Sequence, residues 1–391
     1  MNQRNQNDFL NFMGNNTRYG IIFIIVFLDL LGAGIILPLL PFYAEKFTAS
    51  AIIITLLVSI YSLMQFIFSP LLGHLSDKYG RRPVLIISQV GSAIGYLMLA
   101  FANSIHILFL SRIIDGITGG NISTAQAYIS DVSTKKDRKK ALGIIGAAFG
   151  LGFILGPTIG GFLGHINIIL PGIFAAIAAL TASILVYLKL PESKRHKTIE
   201  SFQFNQIYSV LFDKKLSKIF LVTIFFGLST AMMQSTFALY NQKVLGFRER
   251  ENGLIFAYIG IVSVFMQLYV IRKLEKKYTD DQLVKIGLFV GSLGFLLISL
   301  VYFSTYKILL FSLGLTLSGF GMGLFNPTIR AILTKKVKNY GKYLGLLSSY
   351  ISLTMIIGPI FAGNLFELLK PYSVFVASSI LMLIGFLALK K

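Results

Sequence analysis

The sequence contains no cysteine and no tryptophan. Without cysteine, disulfide frameworks, thiol nucleophiles and cysteine-ligated metal sites are excluded. Histidine is also rare, and its four copies lie far apart along the chain, at His74, His106, His165 and His196. We therefore predict neither a metal site nor a cofactor.

Charge is scarce as well. Only 13% of the 391 residues are charged and 55% are hydrophobic, whereas a soluble domain has roughly 25% charged residues. Apolar stretches of the length of a membrane span recur from one end of the chain to the other, which is typical of a polytopic membrane protein. The first stretch is too long for a cleaved signal peptide. No catalytic constellation stands out, so an enzyme is not expected.

Twelve transmembrane helices are predicted, and the expected location is the cell membrane. Each is close to the roughly 20 residues needed to cross a bilayer. The expected spans are 19–42, 50–72, 83–103, 106–129, 141–164, 168–190, 218–241, 253–271, 284–303, 308–331, 343–367 and 372–389.

Basic residues are distributed unevenly around these spans. The net charge of +20 could suggest a nucleic-acid partner. With the N-terminus inside, however, 29 of the 36 Lys and Arg residues fall in inner segments, six fall in outer segments, and Arg112 lies within a span. This asymmetry predicts cytoplasmic N- and C-termini. Membrane topology and contact with anionic lipid therefore explain the excess positive charge. We predict no nucleic-acid partner.

The longest hydrophilic link, 191–217, divides the spans into two sets of six. A segment beginning at Lys140 resembles one beginning 202 residues later at Lys342, and both contain a Gly-Pro pair at the same depth. The fold class is therefore an all-α membrane protein with two pseudo-symmetric six-helix bundles. We assign 1–190 and 218–391 to the bundles and 191–217 to a cytoplasmic linker. Both copies run in the same direction, which is typical of parallel repeats in transporters.

Four short motifs carry a resemblance to a known family. They are GHLSDKYGRRP at 73–83, LSRIIDGITGG with Arg112, the glycine-rich segment 146–161, and DLLGAG from Asp29 to Gly34. With them the chain resembles the major facilitator superfamily, in its twelve-helix drug/proton antiporter branch of tetracycline/proton antiporters and related multidrug exporters. Tetracycline exporters carry acids in the third and ninth helices, whereas this sequence has none there and has Gly95 and Gly291 near the expected places, which weighs against tetracycline as the substrate.

The resemblance implies a cytoplasmic gate formed by Gly73, Asp77, Gly80, Arg81 and Asp131. An acid equivalent to Asp77 lies near a helix start in that family, where free N–H groups favour negative charge. The equivalent of Arg81 pairs with an acid, here Asp131. The alternative is a plain cytoplasmic loop, in which bases set orientation and glycines turn the chain.

Three ionisable residues lie deep within predicted spans. Asp29 and Asp115 fall near the midplane, and Arg112 precedes Asp115 by three residues on the same helix face. A buried charge costs about 2.5–3.5 kcal/mol even on a lenient insertion scale. Arg112 and Asp115 form either a structural ion pair or, with Asp29, a proton-coupling site. Asp29 has no partner on its own helix, which favours it as the coupling residue.

Two larger sets complete the predicted sites. Small residues expected to allow close helix packing are Gly146, Gly150, Gly156, Pro157, Gly160 and Gly161. Polar and aromatic residues expected to line a substrate cavity, or otherwise to join helices, are Asn121, Gln126, Gln234, Phe237, Tyr240, Asn241, Tyr258, Gln267, Asn326 and Tyr350.

The sequence therefore predicts a monomeric secondary transporter. We expect it to exchange protons for an amphipathic small molecule or drug by alternating access. An exporter of a dedicated endogenous metabolite, such as a metal chelator or lipid precursor, is the alternative. The expected partners are the substrate, protons and membrane lipid.

Overall fold

The computed structural model describes residues 17–133, 138–193, 216–337 and 340–389. Within these ranges all regular structure is helical. The predicted linker 191–217 lies largely outside the described residues. The first three linker residues, Pro191 to Ser193, are described and contact helices that precede them.

The helices have the following bounds. The first half of the chain contains α1 Thr17–Ile36, α2 Leu40–Glu45, α3 Ala51–Tyr79, α4 Arg81–Ala100, α5 Ile105–Thr118, α6 Asn121–Val132, α7 Arg138–Ile166 and α8 Ile169–Lys189. The second half contains α9 Ser217–Tyr240, α10 Glu249–Phe265, α11 Ile271–Leu274, α12 Asp280–Leu300, α13 Lys307–Lys336, α14 Tyr340–Leu368 and α15 Tyr372–Ala388. A 3₁₀ turn joins α1 to α2, and π-helical turns follow α9 and α10.

Nine helical segments in the described ranges are long and apolar enough to cross a membrane, and α15 is a shorter apolar helix. Two predicted spans are interrupted. The span predicted at 106–129 is divided into α5 and α6 at Gly119 and Gly120. The span predicted at 253–271 is α10 followed by a π-helical turn. The helical membrane fold predicted from hydropathy is confirmed.

Local sequence explains where several helices begin. Ser104 caps α5 by accepting the backbone N–H of Ile107, and Thr279 with Gln282 forms a reciprocal capping box at α12. Prolines lie inside α3, α7, α13 and α14. Such prolines are tolerated in membrane helices because neighbouring groups satisfy the freed carbonyls.

The chain forms two compact units. Unit 1 comprises 1–47, 63–201 and 249–257, and unit 2 comprises 48–62, 202–248 and 258–391. In unit 1, α1 packs against α7 and α8, while α4 packs against α5 and α8. In unit 2, α9 packs against α14 and α15, and α12 packs against α13 and α15. The start of α3 belongs to unit 2, where Ser59 Oγ donates to the Ile356 carbonyl at 2.9 Å.

The internal repeat is visible in the helix bounds. Both α7 and α14 are 29 residues long, and each contains one proline, Pro157 and Pro359. Their first residues and their last residues are separated by the same 202 positions that the sequence repeat predicts. The predicted pseudo-symmetry of the fold is therefore confirmed at these two helices.

Candidate functional site

Asp29 lies eleventh in the apolar segment Tyr19–Glu45, and two amides from other helices hydrogen-bond it. Asn121 Nδ2, at the start of α6, donates to Asp29 Oδ1 at 2.7 Å. Gln89 Nε2, on α4, donates to the same oxygen at 3.3 Å. Gln89 is fully buried and Asn121 is 3% exposed. The carboxylate is thus held by two neutral donors, and none of its described hydrogen-bond partners is a base.

The other two deep charges pair with each other. Arg112 Nη1 lies 3.2 Å from Asp115 Oδ2, and both side chains are buried. Ser92 also hydrogen-bonds Asp115. A Cβ added to Gly95 would lie 2.9 Å from Asp115 Cβ, so the glycine on α4 leaves the room that Asp115 occupies. The structure therefore forms the ion pair that the i, i+3 spacing predicted.

The residues predicted for the cytoplasmic gate meet around Arg81. Arg81 Nε lies 3.2 Å from Asp131 Oδ2, and another guanidinium nitrogen contacts Asp77. Ser76 Oγ accepts a third bond at 2.5 Å. Gly80 has φ of 108°, a conformation that favours glycine. Gly73 has open space where a Cβ would be, and its carbonyl accepts a hydrogen bond from Ser76 Oγ at 2.7 Å.

Sequence reasoning missed Glu192, which joins this cluster from the start of the linker. Its Oε1 accepts the backbone N–H groups of Arg81 at 2.8 Å and Arg82 at 3.3 Å, at the N-terminus of α4. A side chain on Gly80 would collide with the Glu192 carboxylate. Ser193 Oγ also donates to Asp131 Oδ2 at 3.0 Å. The available signal was an acid directly after a predicted span, on the same membrane side as the loop.

The glycine-rich helix α7 packs backbone to backbone against α1. A Cβ on Gly156 would lie 2.9 Å from Gly34, and one on Gly160 would lie 2.7 Å from the Ile35 carbonyl. Gly152 makes the same kind of contact with Leu30 but was absent from the predicted set. Gly161 faces the start of α10 at Gly253. Gly146, by contrast, has open space.

A Cβ added to Gly34 would lie 2.9 Å from the Gly152 carbonyl oxygen and 3.3 Å from Pro157. Gly152, Gly156 and Gly160 follow one another at a spacing of four positions, so they lie on one helix face, as close packing of membrane helices requires.

The predicted substrate residues divide by burial. In unit 2, Phe237, Tyr240, Asn241 and Tyr350 are buried. Tyr240 donates to the Ile298 carbonyl at 2.6 Å, so its hydroxyl joins helices. Gln234 is half-buried, and Tyr258, Gln267 and Asn326 are exposed. In unit 1, Gln126 is exposed while Asn121 faces Asp29.

Comparisons with known proteins agree with these features. The family model described as Major Facilitator Superfamily matches residues 22–337 and 277–390. The chain is 34% identical over 377 residues to the class H tetracycline resistance protein of Pasteurella multocida, covering 93% of this chain and 92% of that protein. It is 30% identical over 374 residues to multidrug resistance protein 2 of Bacillus subtilis (strain 168), covering 92% and 91%.

Among solved structures, the human organic anion transporter MFSD10 (TETRAN) is 25% identical with a TM-score of 0.71, covering 95% of this chain and 98% of that one. These relatives and neighbours are transporters, which agrees with the expectation of a membrane transporter in place of an enzyme. The chain belongs to the Major Facilitator Superfamily, in the branch that includes tetracycline and multidrug resistance proteins.

Proposed function

We propose that this transporter exports an amphipathic small molecule or drug in exchange for protons, by alternating access. The observation that carries the proposal is the environment of Asp29. This carboxylate lies within a membrane-spanning segment, and its described hydrogen bonds come only from the neutral amides of Gln89 and Asn121. Withdrawal from water favours the neutral form of a carboxyl group, so Asp29 is suited to bind and release a proton.

The ion pair on α5 supports this division of roles. Arg112 and Asp115 neutralise each other at 3.2 Å, whereas Asp29 has no described basic partner. A proton that enters through Asp29 from the outside gains about 2.3 kcal/mol per 100 mV of membrane potential. That energy is sufficient to favour uphill export when proton entry and substrate exit are coupled.

The class of substrate is inferred from the relatives and from composition. Two relatives are named for resistance to tetracycline and to multiple drugs. The exposed candidates Gln126, Tyr258, Gln267 and Asn326 are neutral polar or aromatic groups, which suits amphipathic ligands better than strongly anionic ones. We therefore propose amphipathic drugs as the first compounds to assay. The absence of acids from the third and ninth predicted spans disfavours tetracycline among them.

Replacing Asp29 by Asn tests the coupling role. Asn resembles the protonated carboxyl group but cannot release a proton, so Asp29→Asn should abolish accumulation driven by a pH gradient. Downhill exchange of substrate should persist. Purified protein in proteoliposomes, with an imposed inward proton gradient and labelled substrate, measures both activities.

The matched control is Asp281→Asn, which removes an exposed acid from the start of α12. The control should retain wild-type accumulation. Gradient-driven accumulation by Asp29→Asn at the wild-type level would show that Asp29 is not the coupling residue, and Asp115 would become the next candidate.

The same proposal includes the orientation of the chain in the membrane and the cytoplasmic gate. With both termini cytoplasmic, the Asp77–Arg81–Asp131 cluster faces the cytoplasm and stabilises the outward-facing state, and the transporter works as a monomer in contact with anionic lipid. Because the chain has no cysteine, single labels report sidedness directly. Lys276→Cys should react only from the cytoplasm and Thr305→Cys only from outside, and the reverse labelling would overturn the orientation.

A further inference from the structure

The amides beside Asp29 leave two buried polar atoms unused. Within the described structure, neither Gln89 Oε1 nor Asn121 Oδ1 has a hydrogen-bond partner. Buried amide oxygens are normally hydrogen-bonded, and leaving one unpaired costs free energy. Both unpaired oxygens belong to the side chains that contact Asp29. Unpaired oxygens are unfavourable while Asp29 is charged. If Asp29 alternates between charged and protonated forms, one of these oxygens can accept the O–H of the protonated carboxyl group.

The two donors are unequal. The Asn121 bond is 2.7 Å long and the Gln89 bond is 3.3 Å long, although both end on the same carboxylate oxygen. The longer bond is the weaker one. Gln89 therefore loses less than Asn121 when its amide group rotates by a half turn.

Rotation of the Gln89 amide group decides whether it donates a hydrogen bond to Asp29 or accepts one. In its present orientation Nε2 donates to the charged carboxylate. After a half turn Oε1 takes that position and accepts the O–H of a protonated carboxyl group. The rotation exchanges an unpaired buried oxygen for an unpaired buried nitrogen, so the number of unpaired buried atoms does not change.

We propose that Gln89 is the switching residue of the Asp29 site, donating to the charged carboxylate and accepting from the protonated one, while Asn121 is a fixed donor. The proton comes from hydronium in the compartment open to Asp29, forms the carboxyl O–H and leaves one water molecule. Release on the other side reverses the step. Gln89 and Asn121 are positioning residues that act through Asp29, and this inference rests on the proposed function.

The surroundings contain few other groups that could take over this role. Among residues whose side chains are described, the charged or titratable groups of the elements around Asp29 are Tyr19 on α1, Tyr43 and Glu45 on α2, Arg81, Arg82 and Tyr96 on α4, His106, Arg112 and Asp115 on α5, Tyr128 and Asp131 on α6, His165 on α7, and Tyr187 and Lys189 on α8. Asp115 is the one that acts on Asp29 through its charge, and it pairs with Arg112.

Two nearly isosteric apolar variants separate a switch from a fixed donor. Asn121→Leu removes a bond made only to the charged carboxylate, so the pH midpoint of gradient-driven transport should move up by about one unit. Gln89→Met removes a bond in both states, so its midpoint should stay within about 0.3 of a unit of the wild type. Ser88→Ala, a buried neighbour on α4, is the control and should leave the midpoint unchanged.

Infrared difference spectra give an independent signature. Protonated Asp29 shows a carbonyl band, assigned by its loss in Asp29→Asn. Gln89→Met should shift that band, because the carboxyl O–H loses its acceptor, whereas Asn121→Leu should leave a hydrogen-bonded band. An equal midpoint shift in both variants, with an unchanged band in Gln89→Met, would make Gln89 a fixed donor and overturn the switch.

Further variants distinguish a misfolded protein from a failure of the proposed coupling role of Asp29. Asn121→Ser and Gln89→Ala serve as second variants if the apolar ones do not give a monodisperse protein. They carry the same predictions, because neither substituted side chain reaches Asp29 as the original amide does. If the midpoint and the band both persist in Asp29→Asn, the coupling role of Asp29 fails, whatever the behaviour of Gln89.

Discussion

The two halves of the chain differ in how deeply their ion pairs are buried. At the start of α4 the Arg81 and Asp131 side chains are 9% and 7% exposed and 3.2 Å apart. Near the start of α12, at the related place in the second half, the pair Lys335–Asp280 is 70% and 25% exposed. An exposed pair contributes about 0–1 kcal/mol, whereas removing one partner of a buried pair costs about 3–5 kcal/mol.

The same contrast holds inside the membrane. Arg112 and Asp115 are 6% and 4% exposed in the first half, and Asp29 lies nearby. The sequence of the last six predicted spans has no acid at a similar depth. Equivalent helices such as α7 and α14 have thus kept their length and proline while charge became concentrated in one half. A shared backbone repeat does not require shared chemistry.

The largest expected effect comes from breaking the buried pair on α5. Asp115→Asn leaves the Arg112 guanidinium without its charged partner in an apolar region, so the free energy of unfolding should fall by about 3–5 kcal/mol. Denaturant titration in detergent, followed by circular dichroism, measures the loss.

A double variant shows whether the charge or the packing matters. Arg112→Met with Asp115→Leu replaces both charges by apolar groups of similar volume and should recover most of the lost stability. If the double variant is as unstable as Asp115→Asn, the pair is not the cause of the effect.

An intermediate effect is expected at the Arg81 cluster. Glu192→Ala leaves the backbone N–H groups of Arg81 and Arg82 without their acceptor at the start of α4, so stability should fall by about 0.5–2 kcal/mol. Glu192→Gln retains an acceptor oxygen and should lose less. The same denaturant titration measures both variants.

Asp77→Asn provides the functional comparison at this cluster. It removes one carboxylate from Arg81, while Asp131 and Ser76 remain. We expect a folded protein that favours inward-open states, with longer distances between spin labels across the cytoplasmic mouth. Unchanged distances would reduce this segment to an ordinary loop.

The smallest effect should come from the exposed pair in the second half. Asp280→Asn removes the partner of Lys335, but both groups remain accessible to water. The change in unfolding free energy should stay below about 1 kcal/mol and decrease further at high salt. A loss as large as that of Asp115→Asn would erase the contrast between the halves.

Hydropathy predicted the helical membrane fold, because the length of apolar segments is a property of sequence alone. The similarity between the segments at Lys140 and Lys342 predicted the repeat. The i, i+3 spacing of Arg112 and Asp115 likewise predicted their pairing. Asp29 was recognised as a lone acid on its helix. Its amide partners were not recognised, because Gln89 and Asn121 are distant in sequence and meet Asp29 only after folding.

The predicted substrate residues show that residue type alone does not determine whether a side chain is buried or exposed. Tyr240 and Asn326 both fit a list of polar or aromatic groups in apolar helices. Tyr240 is buried and bonded to the Ile298 carbonyl, whereas Asn326 is exposed. Which face of a helix is turned inward depends on neighbouring helices, and a nearly uniform apolar pattern carries little information about it.

The interruption at Gly119 and Gly120 has a consequence for how this span enters the bilayer. At 1.5 Å per residue, the 14 residues of α5 and the 12 of α6 each extend about 18–21 Å, less than the roughly 30 Å hydrocarbon layer. The carbonyl of Gly119 accepts Gln65 Nε2 of α3 at 2.8 Å, so a partner helix satisfies part of the broken backbone. Since α3 is made earlier in synthesis, we expect a preceding helix to stabilise this span in lipid, a contribution that the continuous α12 does not require.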